Sequence, residues 1–249
     1  MTGAAVLTAD CVAKSFDGHR VLSSASLRAV AGECRALLGR NGTGKSTLLK
    51  IAAGLIPPDS GSVHFAGASY VSARLARLAA DGLFLLPDHD LLSNAFSVRA
   101  QLEMIRERFD GASVTESAAR MGVAERLDVR PWQLSGGELR RAEVAAVFVR
   151  QPRCLLADEP YRGIAPKDAE DLSRAFRALA ATGVAVVITG HEVPTLLATA
   201  DHVTWCTSGT TYELGAPAIA SRDERFRREY LGREARNIGL DAPRRAPLS

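Results

Sequence analysis

The chain has 249 residues, 47% of them hydrophobic, enough for one large domain or a domain with a small subdomain. Its formal net charge of +3 is carried by the stretch from Arg222 onward, which holds eight arginines against five acidic residues. The body is therefore neutral, which argues against a strongly basic nucleic-acid face.

Met1-Thr2-Gly3-Ala4-Ala5 lacks a basic leader, and no apolar run approaches ~18 residues, so neither signal peptide nor membrane span is expected and the protein reads as cytoplasmic. Cys11, Cys34, Cys154 and Cys206 are isolated, three of them in apolar runs. Buried reduced thiols are expected rather than disulfides or a zinc site.

Two strands open the chain, Val6 to Phe16 and Ala25 to Val30, with an Asp17-Gly18 turn after the first. Ala31-Gly32-Glu33 then turns the chain into an apolar strand, Cys34 to Leu38. Directly after it stand Gly39, Arg40, Asn41, Gly42, Thr43, Gly44, Lys45, Ser46 and Thr47, which fit the pattern G-x-x-x-x-G-K-[ST]. Glycines let backbone N–H groups converge on phosphate oxygens, the lysine reaches the outer phosphates, and the serine hydroxyl helps hold Mg²⁺. The helix that follows runs to Ala53 and ends at Gly54. Pro57 to Gly61 interrupts; Ser62 to Phe65 is a short strand closed by Gly67, a helix carries Leu75, Leu78 and Ala79, and Leu83 to Leu86 is another buried strand.

From Pro87 to about Gln133 helices replace strands. Ser97 caps one with Val98, Leu102, Ile105 and Phe109 on a single face, and Ser113 to Glu116 opens a second that ends near Gly122. That face packs either on its own domain or on a partner. Leu134-Ser135-Gly136-Gly137-Glu138 starts a helix running to Arg150, and Cys154 to Ala157 is an apolar strand ending in Asp158 and Glu159. If this strand lies parallel to the first, Asp158 supports Mg²⁺ beside Ser46 while Glu159 orients and deprotonates a water. Pro160 stops the strand. A helix with Leu172, Ala175, Phe176 and Leu179 on one side leads to the strand Val184 to Thr189 and then His191, at the strand end where doubly wound sheets place ligands. A short helix from Thr195 to Ala200 precedes a hairpin of Val203 to Thr207 with Thr211 to Leu214. Arg222 to Tyr230 reads as a charged helix, either solvated or touching anionic headgroups, and the remainder as disordered.

With the phosphate loop, Leu134 to Glu138, the Asp158-Glu159 strand and the later histidine in this order, the chain resembles the ABC-type ATPase family over residues 4 to 220. The resemblance implies an α/β P-loop NTPase of ABC type: a mostly parallel core sheet, an antiparallel β subdomain and a helical subdomain insertion. It implies an ATP-binding domain over residues 1–232, with the helical insertion at about 88–136 and a tail at 233–249. It implies ATP and Mg²⁺ as cofactors and a head-to-tail homodimer, each ATP held between one subunit's phosphate loop and Leu134, Ser135, Gly136, Gly137 and Glu138 of the other. Ser135, Gly136 and Gly137 would offer bare N–H groups at a helix start to a γ-phosphate. By position, Phe16 would stack on adenine, unless it is a hairpin aromatic; Glu159 would be the general base, and His191 the switch residue that contacts the γ-phosphate.

Two positions depart from the family. Asp88 stands where a glutamine would ligate Mg²⁺, and Ala165 where an aspartate would end the loop after Pro160. Slow or partner-dependent hydrolysis is expected from them. The leading reading is the ATP-hydrolysing subunit of a transporter with separate transmembrane permease subunits, peripheral on the cytoplasmic face of the membrane, with no nucleic-acid partner. The alternatives are a soluble ABC ATPase acting on ribosomes or DNA, and a weakly hydrolysing nucleotide-regulated adaptor. Wording around Arg162-Gly163-Ile164 is similar to the branch of lipopolysaccharide-export and branched-chain amino-acid-import ATPases, without fixing a substrate.

Overall fold

The computed structural model describes residues 5–70 and 74–232. One sheet of ten strands organises the chain, in the order β5-β4-β1-β2-β10-β9-β3-β8-β7-β6. Its parallel core is β9 (His202–Thr207), β3 (Cys34–Leu38), β8 (Ala185–Gly190), β7 (Cys154–Ala157) and β6 (Leu83–Leu86), each paired in parallel with its neighbour. The strand leading to His191 thus lies between the phosphate-loop strand and the Asp158 strand. Layers cover both faces. Leu155, Val186 and Ile188 point into one core with the helices α5 (Gly136–Arg150) and α6 (Pro166–Ala181), while Leu156, Val187 and Leu37 point into the other with α1 (Lys45–Ala52). Burial on both sides is why these strands read as unbroken apolar runs.

The antiparallel part is β1 (Ala5–Phe16), β2 (His19–Val30), β4 (Ser60–Phe65) and β5 (Ala68–Tyr70). Asp17 and Gly18 turn the β1–β2 hairpin at φ 48° and 79°, the left-handed pair that suits the twist of such strands. Two features were not legible in the sequence. β2 begins at His19, well before Ala25, because His19, Arg20, Ser23 and Ser24 are exposed and only Val21 and Leu22 of its first half turn inward, which breaks the apolar alternation. β5 is only three residues long. β10 (Thr210–Gly215) joins the parts, antiparallel to β9 and parallel to β2.

Between β6 and β7 come α3 (Val98–Phe109), α4 (Val114–Arg120) and the start of α5. Ser97 accepts a hydrogen bond from the Ala100 N–H and Ser113 from the Glu116 N–H, so both caps form. Val98 and Leu102 are buried in the core, and the Arg150 guanidinium lies 4.1 Å from the Phe109 ring centre. This face packs on its own domain. At the far end α7 (Val193–Thr199), α8 (Pro217–Ala220) and α9 (Glu224–Phe226) follow, the last continuing as a π-helical turn over Arg227–Leu231. Phe226 is fully buried edge-on to Trp205, so the charged stretch is anchored to the domain and not merely solvated. The expected tail at 233–249 lies outside the described residues. Among those described, no helix is long and apolar enough to cross a membrane.

Candidate functional site

The loop between β3 and α1 is shaped by contacts that only glycine allows. A Cβ at Gly39 would stand 2.3 Å from the carbonyl oxygen of Cys206, and one at Gly44, where φ is 100°, would stand 2.5 Å from Leu22. Lys45 is 5% exposed, its ammonium donating to the carbonyls of Gly39 (2.8 Å) and Arg40 (3.2 Å) and lying 4.0 Å from Glu159 Oε1. Thr43 Oγ1 donates to the Arg40 carbonyl at 2.9 Å, and the Cys206 thiol donates to the Thr43 carbonyl. The loop is therefore held around its own lysine by that ammonium, by the Thr43 hydroxyl and by the Cys206 thiol.

Over it opens a hollow of about 660 Å³, lined by Asn41, Gly42 and Gly44 to Thr47 on one wall and by Asp88, Glu159, Arg162 and His191 on the other. Such a volume suits a small molecule. Ser46 Oγ donates to Asp158 Oδ1 at 3.1 Å, which fits a site where hard oxygen ligands share a Mg²⁺. Asp158 and Glu159 are further tied by Thr189, whose buried hydroxyl donates to Asp158 Oδ1 at 2.7 Å and accepts from the Glu159 N–H at 3.0 Å. That bond helps hold Glu159 at φ 49°, a left-handed conformation costing a non-glycine residue about 1–3 kcal/mol. The Glu159 carboxylate meets His191 Nδ1 at 2.9 Å, and His191 Nε2 lies 3.3 Å from Glu192 Oε1.

Thr189 and Arg162 escaped the sequence reading. Thr189 carried a signal, since a hydroxyl inside an apolar strand must find a partner when buried. Arg162 carried none beyond its place three residues after Glu159.

Leu134 to Glu138 do not reach this hollow. Ser135 and Glu138 line a different cleft with Arg141 and Asp168. Ser135 caps α5 in a closed box: its Oγ accepts from the Glu138 N–H, and Glu138 Oε2 accepts from the Ser135 N–H at 2.9 Å. The Ser135 N–H is therefore not bare, contrary to expectation. The first helical positions, Gly136 and Gly137, still have no intrahelical acceptor for their N–H groups. Backbone and hydroxyl bonds from Ser135, then Arg126, pull the Glu138 carboxyl down to about 2. A Cβ at Gly137 would meet the Asp168 carboxylate, which pairs with Arg141 and would have to shift.

Phe16 ends β1, is 42% exposed and has the Lys14 ammonium 5.6 Å from its ring centre, outside the lining of the hollow. Asp88 lies on that lining, its Oδ2 3.3 Å from Arg162 Nη1 and its Oδ1 3.4 Å from His89 Nε2. Ala165 occupies the N-cap of α6 and gives it no side-chain hydrogen bond.

Residues 22–162 match the family model described as ABC transporter. The lipopolysaccharide export system ATP-binding protein LptB of Escherichia coli K12 is 31% identical over 239 residues, covering 93% of this chain and 99% of that protein. A probable ABC transporter ATP-binding protein of Azorhizobium caulinodans is 32% identical over 243 residues, covering 92% of this chain and 84% of its own. In fold, the ADP conformation of MJ1267, an ATP-binding cassette of an ABC transporter, superposes with a TM-score of 0.79 at 22% identity, covering 95% of this chain and 99% of that one. The dimeric structure of MJ0796, a bacterial ABC transporter cassette, gives 0.75 at 20% identity, over 84% of this chain and 98% of that one.

Proposed function

The chain belongs to the ABC transporter family as an ATP-binding, ATP-hydrolysing subunit, and we propose that the hollow above the phosphate loop is where its ATP and Mg²⁺ bind. One observation carries this: separate stretches of chain bring Lys45, Ser46, Asp158, Glu159 and His191 together through direct contacts. Lys45 and the loop N–H groups hold phosphates; Ser46 and Asp158, with Asp88, hold the metal. Mg²⁺ supplies charge neutralisation between phosphate oxygens. Glu159, held by the Thr189 hydroxyl and facing His191, takes the proton of the attacking water, and His191 contacts the γ-phosphate. Phe16, exposed at the β1 end, supplies the stacking surface for adenine.

Leu134 to Glu138 are absent from the lining of the hollow over their own loop, and this supports a second copy docked head to tail, with the free N–H groups of Gly136 and Gly137 offered to the partner's nucleotide. Separate transmembrane permease subunits would then place the pair on the cytoplasmic face of the membrane. The functional unit we assign is residues 1–232, with the helical insertion at about 88–136.

Titration with ATP and Mg²⁺, followed by phosphate release, tests the assignment. Lys45→Ala should abolish saturable binding, while Glu159→Gln should bind normally and lose on the order of 10²-fold or more in turnover. Turnover of the isolated native chain should be slow, and Asp88→Gln with Ala165→Asp should raise it. Turnover by Glu159→Gln equal to native would remove Glu159 from the chemistry, and brisk native turnover unchanged by the paired substitutions would sink the explanation of slow hydrolysis.

A further inference from the structure

We propose that Arg162 is a second phosphate-binding cation of this site, parked on Asp88 until nucleotide enters and then exchanged onto its outermost phosphate. The proposal rests on the reading of the hollow as the ATP site. Arg162 sits in the turn that follows Glu159, fixed by a hydrogen bond from its own N–H to the Glu159 carbonyl at 3.1 Å. Its side chain is 63% exposed and lines the hollow, with Nη1 3.3 Å from Asp88 Oδ2. Asp88 is steadied from behind, because the buried Arg140 guanidinium donates to the carbonyl oxygens of both Pro87 and Asp88. The Asp88 backbone is thus anchored while its carboxylate is presented to Arg162.

Charge balance gives the pair its purpose. Lys45 and Arg162 are the lysine and arginine of the lining, and Asp88 and Glu159 are its carboxylates, with Asp158 close behind. Without Arg162, Lys45, already tied to two loop carbonyls, would be the one lysine or arginine of the lining, and the outermost phosphate would meet the Asp88 carboxylate uncompensated. Asp88 makes the hollow more acidic than a neutral amide would, and Arg162 offsets that charge. An exposed ion pair contributes little stability, so it breaks at small cost. The guanidinium fork matches phosphate oxygens in shape and donor number, which makes the exchange favourable when a triphosphate arrives. Exchange also frees the Asp88 carboxylate for the metal.

Equilibrium titration of the purified chain with a non-hydrolysable ATP analogue and with ADP, each with Mg²⁺, tests this on the native sequence, R162Q, R162K and K45A, with melting curves confirming each fold. R162Q should lose about tenfold in triphosphate affinity and less than about twofold for ADP, while R162K keeps most of both. Equal affinities in native and R162Q overturn the proposal, as does an equal loss for both nucleotides, which would mark a general field instead of a contact with the last phosphate. Native binding that K45A leaves intact, or no native binding at all, refutes the nucleotide site itself. Native binding lost in K45A with R162Q unchanged refutes the role of Arg162 alone.

Discussion

At Thr189 a single hydroxyl serves both acidic residues of the β7 end, donating to Asp158 Oδ1 and accepting from the Glu159 N–H. Thr189→Val removes both bonds at nearly constant volume. Turnover should fall about tenfold with nucleotide affinity retained, and Thr189→Ser should restore it; unchanged turnover in the valine variant would show that Glu159 holds its place unaided. Glu138 offers a test by pH. Its carboxyl titrates at about 2, below the ordinary value of 4.5, so its capping contribution is complete above that ordinary value and is lost as pH falls toward 2. Carboxyl NMR should place its midpoint near 2; a midpoint near 4.5 would mean that the box with Ser135 and Arg126 does not form. Sequence made Lys45, Ser46, Asp158, Glu159 and His191 legible because phosphate and metal chemistry restrict residue type and spacing. Arg162 was not legible, because which carboxylate an exposed arginine meets depends on how two distant turns approach.

The start of α5 shows how an element carries information between distant parts of the chain. Arg140 and Glu143 pair at 3.0 Å, both buried, and burial raises the Glu143 carboxyl despite the arginine beside it. The same guanidinium holds the turn at Pro87 and Asp88. Removing Arg140 therefore strands a buried acid and releases that turn. Arg140→Met should cost about 3–5 kcal/mol by chemical denaturation, with much of it recovered in the Arg140→Met, Glu143→Leu double variant. A loss below about 1 kcal/mol would show the pair to be incidental. The longer helices and the core strands were legible from their periodicity and caps, whereas the four-residue α8 was not. β5, the first half of β2 and the π-helical turn were not, since short or exposed elements draw their hydrogen bonds from neighbours that periodicity does not reveal.

Across the whole molecule, the phosphate loop and Leu134 to Glu138 line separate clefts. On the proposed head-to-tail reading, each cleft would supply one half of a site. Pairing two copies head to tail would complete both, and hydrolysis would release them, which is how a domain without a membrane-crossing helix among its described residues could drive motion in separate membrane subunits. The closure should be visible in the protein alone when hydrolysis is blocked. Sedimentation velocity of the Glu159→Gln chain tests this most directly. The 26.5 kDa species should double in mass on addition of ATP with Mg²⁺ and stay single with ADP. Saturable ATP binding with no change in mass would contradict a site completed by a second copy.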